Sequence, residues 1–569
     1  MSYPPRPESP PLPRRPPSEP FPEDPTKATR HLCAGAYLDD TFRNESLRQV
    51  YYQPRRLVAP SYGFDLVPVL AHCLRARNGA IARDAAIIGT FLVAACISWL
   101  AVLSVLSSMV SLQAAIATYR LARGTIRRLR AGLPVQLGTL VPRMFLLVLG
   151  WTVATVFGSF VSGMILRQGT RTFFEGGTAG AESAVSGLAT GALLLALLIF
   201  LYPTAFSLWR QSALTRLTPG SRVTLPLRDP RLDEVARQQR GNTVIYSGFR
   251  PYVGSGLLVE TWGFAQRLVT PEQPFIREFE ALRGDRRGGQ APDTERDREF
   301  ATPPFTALEV VDYVRGHLTT LLPDREAEAQ IAGLTVEDRI LLAGTEVSHL
   351  GPHTAPEVMA AVIRHPSTPA RHYLACQVFS WGGQLITTVY VHLAVQGRSL
   401  YLELTTTALP PCAEAYRIVD TEEGTGAMAW LRAFGAGVAE TPQAIWRAPA
   451  SLAGALINMA AASTAPVGGD SLTPGYDYGA RIGVRELGSD LEMRNLTQLQ
   501  DVEKYQKLIE RRVIASVLDF LDDRGVDTTE YRARAASVLN ANGVNNFGDN
   551  VSYQGPVAGR DMGARGERA

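Results

Sequence analysis

Three uncharged stretches dominate the pattern of apolar and polar positions. Ala85 to Tyr119 runs 35 residues without a charge, Met144 to Leu166 runs 23, and Ser183 to Trp209 runs 27. A hydrocarbon core about 30 Å thick takes about 20 apolar residues of helix to cross, so the second and third stretches predict membrane spans. The first is long for one helix and short for two. Arg75, Arg77 and Arg83 precede it, and Arg120, Arg123, Arg127, Arg128 and Arg130 follow it. Arginine-rich flanks stay in the cytosol, so both ends of the stretch belong on one side. A hairpin or re-entrant dip turning near Ser98 or Ser104 fits that better than one tilted helix, and the pattern leaves open whether the stretch crosses once, twice or re-enters.

The later spans predict a second hairpin. Their connection, Arg167 to Glu182, is charge-neutral and rich in Gly and Thr, as an outside loop would be. Arg210, Arg216, Arg222 and Arg228 then return the chain to the cytosol, which places both termini there. Gly150, Gly158, Gly163, Gly187 and Gly191 offer small-residue contact points between helices. No ionisable residue sits inside a span, which argues against ion-coupled transport.

Outside the spans the periodicity changes. Phe64 to Arg77 predicts an amphipathic helix that lies on the membrane surface or packs on the cytosolic domain. Asn242 to Gly248 and Gly256 to Trp262 predict strands joined by a glycine turn. Thr306 and Glu309 form a capping box opening a helix that runs to about Leu322. Tyr373 to Thr407 alternates with period two around Gly382-Gly383 and Gln396 to Arg398. It predicts an antiparallel meander with one buried face, carrying Leu385, Thr387, Val389, Val391, Leu393 and Val395. Residues 448–467 are Ala-rich and only weakly apolar, and predict a packed or surface-lying helix. Val502 to Leu521 repeats apolar residues at helical spacing, with Tyr505, Leu508, Ile509, Val513, Val517, Phe520 and Leu521 on one face and Gly525 as the stop. A short helix from Thr529 to Leu539 and an Asn/Gly-rich run to Asn550 follow.

Composition sharpens the picture in two places. Residues 1–26 hold eleven prolines and cannot bury a core, although Pro10 to Pro16 would suit a proline-binding groove. All but three of the 57 basic residues are arginine, the exceptions being Lys27, Lys504 and Lys507, a bias that GC-rich bacterial coding explains. Net charge is +3, too small to imply nucleic acid. Cys33, Cys73, Cys96, Cys376 and Cys412 form no CxxC pair, which implies a reducing compartment and no disulfide framework.

Candidate chemistry is thin. Gly254-Ser255-Gly256, with Arg250 and Tyr252, is the nearest approach to an anion-binding loop, but it lacks a third glycine and a following Lys-Thr, and a hairpin turn explains the glycines. His349 and His353 are the nearest approach to a metal pair, yet Gly351 and Pro352 break the helix that an i, i+4 site needs. Ser380 and Cys376 have no assignable catalytic partners. No catalytic residue, metal or cofactor is assigned.

Four segments of the C-terminal part carry a resemblance: Tyr476 to Ala480, Glu510 to Val513, Asp519 to Leu521 with Gly525 to Thr528, and Val538 to Val544. Over residues 475–550 the chain resembles a group of uncharacterised actinobacterial multi-pass membrane proteins. The resemblance implies a bacterial inner-membrane location and carries over no activity.

The fold expected is an α-helical membrane unit plus a cytosolic α+β domain with an antiparallel meander and a C-terminal helical segment. Its parts are a disordered tail (1–26), a juxtamembrane segment (27–83) and a membrane unit (84–210, with hairpin 85–119 and spans 144–166 and 183–209). A soluble domain (211–440), an Ala/Gly-rich connector (441–501), C-terminal helices with the Asn/Gly-rich run (502–550) and a tail (551–569) complete it. The function expected is a membrane-anchored scaffold or signalling protein, partnered by the lipid bilayer and by other proteins or its own copies. The alternatives are a pore-forming effector built on Ser104, Ser107, Ser108, Gly158 and Ser159, and a membrane-bound enzyme using the loops around Arg250 and His349.

Overall fold

The computed structural model describes residues 27–130, 137–219, 229–248, 250–271, 298–322, 330–347, 351–464, 475–490, 493 and 495–540. The proline-rich tail, residues 272–297, the Asn/Gly-rich run 541–550, the tail 551–569 and His349 lie outside the described residues.

Helices come first. Short α1 (Lys27–Leu38), α2 (Asp40–Ser46) and a π-helical turn (Leu47–Tyr51) precede the long α3 (Leu66–Ile97), α4 (Trp99–Arg130) and α5 (Leu137–Thr215), and α6 (Pro230–Gln238) follows. Four helical segments are long and apolar enough to cross a membrane: α3, α4, and Leu140–Gln168 and Ser186–Thr215 within α5. They carry many bare apolar side chains, among them Val93, Phe145, Val156, Phe160 and Leu193, each more than half exposed. A water-facing surface rarely leaves so large an apolar area uncovered.

The break between α3 and α4 falls at Ser98, whose φ of −154° and ψ of 95° are extended. The expected loop from Arg167 to Glu182 is instead helical and part of α5. It holds no proline to remove an i→i−4 bond, so nothing in its backbone chemistry forces the helix to stop. Both halves of α5 pack on the α3–α4 pair: Trp151 donates to Thr118 at 3.1 Å, and Thr90 and Tyr202 hydroxyls meet at 3.0 Å. Of the five glycines expected at helix contacts, Gly158 alone has a neighbour, Ser107 Oγ, within 4 Å of where its Cβ would stand. The others face open space, because small residues permit close approach without compelling it.

The segment from Leu66 to Ala76 is almost entirely buried, packed on α1 in a core that also takes Leu214, Val235, Cys412, Tyr416 and Val484. It is therefore a packed helix, and it continues without interruption into the exposed apolar half of α3.

The sheet follows: β1 (Thr243–Tyr246), β2 (Leu257–Arg267), α7 (Ala307–Thr319), β3 (Leu334–Ala343), α8 (Pro356–Arg364), β4 (Arg371–Ser380), β5 (Leu385–Gln396) and β6 (Ser399–Leu409). A 3-10 turn (Glu414–Asp420) leads to α9 (Ala427–Thr464), α10 (Val484–Leu487), α11 (Leu496–Asp523) and α12 (Thr529–Asn540). The strand order is β1-β3-β4-β5-β6-β2. β1 pairs parallel with β3, and the remaining ladders are antiparallel. β1 and β2 thus lie on opposite edges, and the expected hairpin between them does not form. Its two strands are local in sequence, but each pairs with a strand distant in the chain, β1 with β3 and β2 with β6.

The capping box stands as read: Glu309 N donates to Thr306 Oγ1, and the Glu309 carboxylate accepts from Thr306 N. The meander also stands, but both its faces are covered. On one, Val389, Val391 and Leu393 meet α7, α8 and α11; on the other, Tyr390 lies 1 % exposed against Tyr252 and Tyr373. The second face looks polar in sequence, and some of its hydroxyls find partners inside: Ser255 Oγ meets the Tyr390 hydroxyl at 2.5 Å, and Tyr252 donates to Thr405 Oγ1 at 3.2 Å. α11 buries Val502, Ile509, Val513, Val517, Phe520 and Leu521. Full burial of one such side chain is worth about 1.5–3 kcal/mol, so this face anchors the helix. Leu508, expected on that face, is 46 % exposed. Gly525 ends α11 with φ +66°.

Asp338 ties β3 to β4 and α7 by accepting from His372 Nε2 at 2.7 Å and from Arg315 at 2.7 Å. Burial raises its pKa, but His372 and Arg315 outweigh that and leave it below the usual carboxylate value. A depressed folded pKa contributes stability above the unfolded pKa that is lost as pH falls through the folded one. Asp338→Asn should therefore lower the unfolding midpoint at neutral pH, and the gap from wild type should close on acidification below the ordinary carboxylate range. A constant gap at every pH would show that the carboxylate charge contributes nothing.

Candidate functional site

The glycine loop serves the chain itself. Gly254 N and Gly256 N donate to Glu486 Oε1 at 2.7 and 2.9 Å, and Gly483 N donates to Oε2 at 3.0 Å. Burial holds the Glu486 carboxyl above its usual range although these amides and Arg250 draw it down. An internal carboxylate thus occupies the place an anion would take. Arg250 is exposed, and Tyr252 packs inward with its hydroxyl 3.2 Å from Thr405. His353 is exposed on the loop before α8. Among the described residues no group of His, Cys, Asp or Glu gathers to hold a metal ion. Cys376 is buried, and Ser380 Oγ donates to the Leu385 carbonyl.

A cavity of about 840 Å³ lies elsewhere. It forms where α2, the π-helical turn, α3, α4, α5 and α9 converge. Seven arginines line it, against four carboxylates. Arg43, Arg48 and Arg83 pair with Asp40, Glu45 and Asp84 at 2.7–2.9 Å, and Arg210 reaches Glu440 at 3.9 Å. Arg77 bonds to the Tyr52 hydroxyl and stacks on its ring. Arg120 and Arg447 are exposed and make no ion pair among the described residues. Guanidinium groups present planar forks of donors that match phosphate and carboxylate oxygens.

A second cavity of about 650 Å³ adjoins the first. Arg120 and Gln443 line both. The second is lined by Ile116, Leu121, Leu146, Leu147 and Pro442 together with Arg128 and Arg143. Sequence reading places the arginines at helix ends but cannot gather them: they come from positions 43 to 447, and nothing local links Arg43 to Arg447. The one signal available is the cluster of basic flanks around the apolar runs.

Residues 261–552 match the AbeC-like domain. The chain belongs to that family. The AbeC-like domain starts inside β2 and takes in the rest of the sheet except β1, together with α7 to α12. It reaches well beyond residues 475–550, where the sequence carries its resemblance. α3, α4 and α5 lie outside it, whereas α9, which supplies Glu440, Gln443 and Arg447 to the cavities, lies inside. The cavities are therefore built jointly by the AbeC-like domain and the apolar helices. No curated protein and no solved structure matches the chain.

Within the AbeC-like domain the Tyr476 to Ala480 segment has a structural role. Ala480 bridges to Tyr246 alongside β1, and Asp477 bonds to Ser247 and to the Gly479 amide and pairs with Arg56 at 3.5 Å. It closes the β1 edge of the sheet.

Proposed function

We propose that this chain is a membrane-anchored scaffold or signalling protein of a bacterial cell membrane. Its apolar helices span the bilayer, and its sheet domain and both termini face the cytosol. The reading rests on one observation: Arg77, Arg83 and Arg120, from the two ends of the first apolar run, meet Arg210, from the end of the third, in one cavity on the side where the sheet domain packs. A bundle whose basic ends gather on one side is oriented with that side in the cytosol. The arginine bias of the whole composition supports a GC-rich bacterial source.

The free edge of β2 supports the binding role. Among the described residues β2 pairs with β6 alone, and its alternate residues Thr261, Gly263 and Ala265 are exposed. Such an edge takes an added strand from a partner or a second copy.

One experiment tests both parts. In a Cys96→Ser background the four remaining native cysteines are buried and silent. Ala265→Cys in intact cells should resist a membrane-impermeant maleimide, while Phe174→Cys between the halves of α5 should react. A permeant bismaleimide should link the Ala265→Cys position to a second copy or to a cytosolic protein. Labelling of the Ala265→Cys position from outside would overturn the orientation, and absence of any linked product would overturn the binding role.

A further inference from the structure

We propose that the two adjoining cavities form one site for an anionic glycerophospholipid, its phosphate among the arginines and an acyl chain in the apolar chamber. The inference rests on the orientation proposed above and adds a ligand to it.

Three observations carry it. The first is charge. The larger cavity keeps guanidinium charge that the protein does not use: Arg120 and Arg447 line it, are exposed, and have no carboxylate partner among the described residues. A guanidinium without a protein carboxylate presents a planar fork of donors to an anion that enters the cavity. The second is continuity. A free phosphate or a nucleotide would need the basic chamber alone, but that chamber shares Arg120 and Gln443 with one walled mainly by aliphatic side chains, together with Arg128 and Arg143. The third is depth. Arg120 is the first charge after the 35-residue uncharged stretch, so the shared wall lies where helix surface changes from apolar to basic. That is where a lipid's own phosphate and acyl chains part.

α9 makes the site more than a patch of annular lipid contact. It crosses this junction with Glu440, Gln443, Ala444 and Arg447 facing the cavity, and Ser207 Oγ holds it by donating to the Ala433 carbonyl at 2.7 Å. Because α9 belongs to the AbeC-like domain, a bound lipid would touch both parts of the chain at once.

The test uses the full chain, purified in neutral detergent and stripped of lipid, and native mass spectrometry with three additions: phosphatidylglycerol, phosphatidylcholine and inorganic phosphate. Phosphatidylglycerol should be retained at one equivalent, at least ten-fold more tightly than phosphatidylcholine. Arg120→Gln combined with Arg447→Gln, both at exposed positions outside the cores, should remove that preference. Arg432→Gln, which is exposed on α9 and does not line either cavity, should leave it intact. Equal retention of the two lipids, or a preference that survives the double variant, overturns the site. Retention of inorganic phosphate as tight as the lipid overturns the lipid source in favour of a soluble anion. Loss of the preference in Arg432→Gln too reduces it to net charge and overturns the site. Failure here leaves the orientation intact, since cysteine labelling decides that separately.

Discussion

Arg485→Met will destabilise the protein by about 3 kcal/mol. Arg485 is 1 % exposed and has no carboxylate partner among the described residues. It donates instead to three carbonyls: Tyr62 at 2.9 Å, Gly383 at 2.9 Å and Gln384 at 2.6 Å. One guanidinium therefore fastens α10 to the segment before α3 and to the β4–β5 turn. Methionine fills similar space without a donor, so the experiment isolates the hydrogen bonds from the packing. Each bond from a charged donor contributes about 1.5–3 kcal/mol, and removing a desolvated charge returns part of their sum. Lysine at this position should recover only part of the loss, because one ammonium cannot hold carbonyls on both sides as the fork does. The readout is the midpoint of thermal unfolding in detergent. A midpoint unchanged in Arg485→Met would show that the clamp adds nothing net.

Gly256→Ala should be more damaging, at more than about 4 kcal/mol, and should appear as failure to accumulate folded protein. The residue has φ +91°, which costs an alanine roughly 1–2 kcal/mol by itself. A methyl group would also overlap the Ala408 carbonyl of β6, a backbone atom in a ladder that cannot move aside. The displacement would further withdraw the Gly256 amide from Glu486. Gly382 supplies the comparison: its φ is +67°, but a methyl there meets nothing within 4 Å. Gly382→Ala should cost only the backbone term, about 1 kcal/mol. Equal effects at the two positions would show that close approach to β6 is unimportant.

These residues also mark how far the sequence could be read. What was legible was local. The capping box at Thr306 and Glu309 spans four residues, and the meander's turns at Gly382-Gly383 and Gly397 join strands that are neighbours in the chain. The apolar runs were legible because a span needs only length and composition. What was not legible was pairing at a distance. The strands on either side of Gly254 look like a hairpin, yet they take opposite edges, since β1 finds β3 and β2 finds β6. Gly254 and Gly256 resemble a phosphate loop because their amides do bind an anion. The anion is Glu486, some 230 residues later, and nothing near Gly256 signals it. The basic cavity is hidden for the same reason, assembled from short stretches that each look like an ordinary helix flank.

The shared core of α1, α3 and the sheet domain constrains the order in which the chain is made. Val58, Leu66 and Leu70 leave the ribosome before the first apolar run, but Cys412, Tyr416 and Val484, which share their core, follow more than 300 residues later. Arg30 meets Asp420 only then, at 2.9 Å. In the membrane-anchored arrangement proposed above, the apolar helices insert while an unfinished apolar surface is still exposed beside them. Contacts so far apart in sequence form slowly and leave intermediates prone to aggregate. Nor can the AbeC-like domain be cut away at residue 261 as a self-sufficient piece, since the covering of its sheet by Ala59 and Tyr62 is translated first and stays behind.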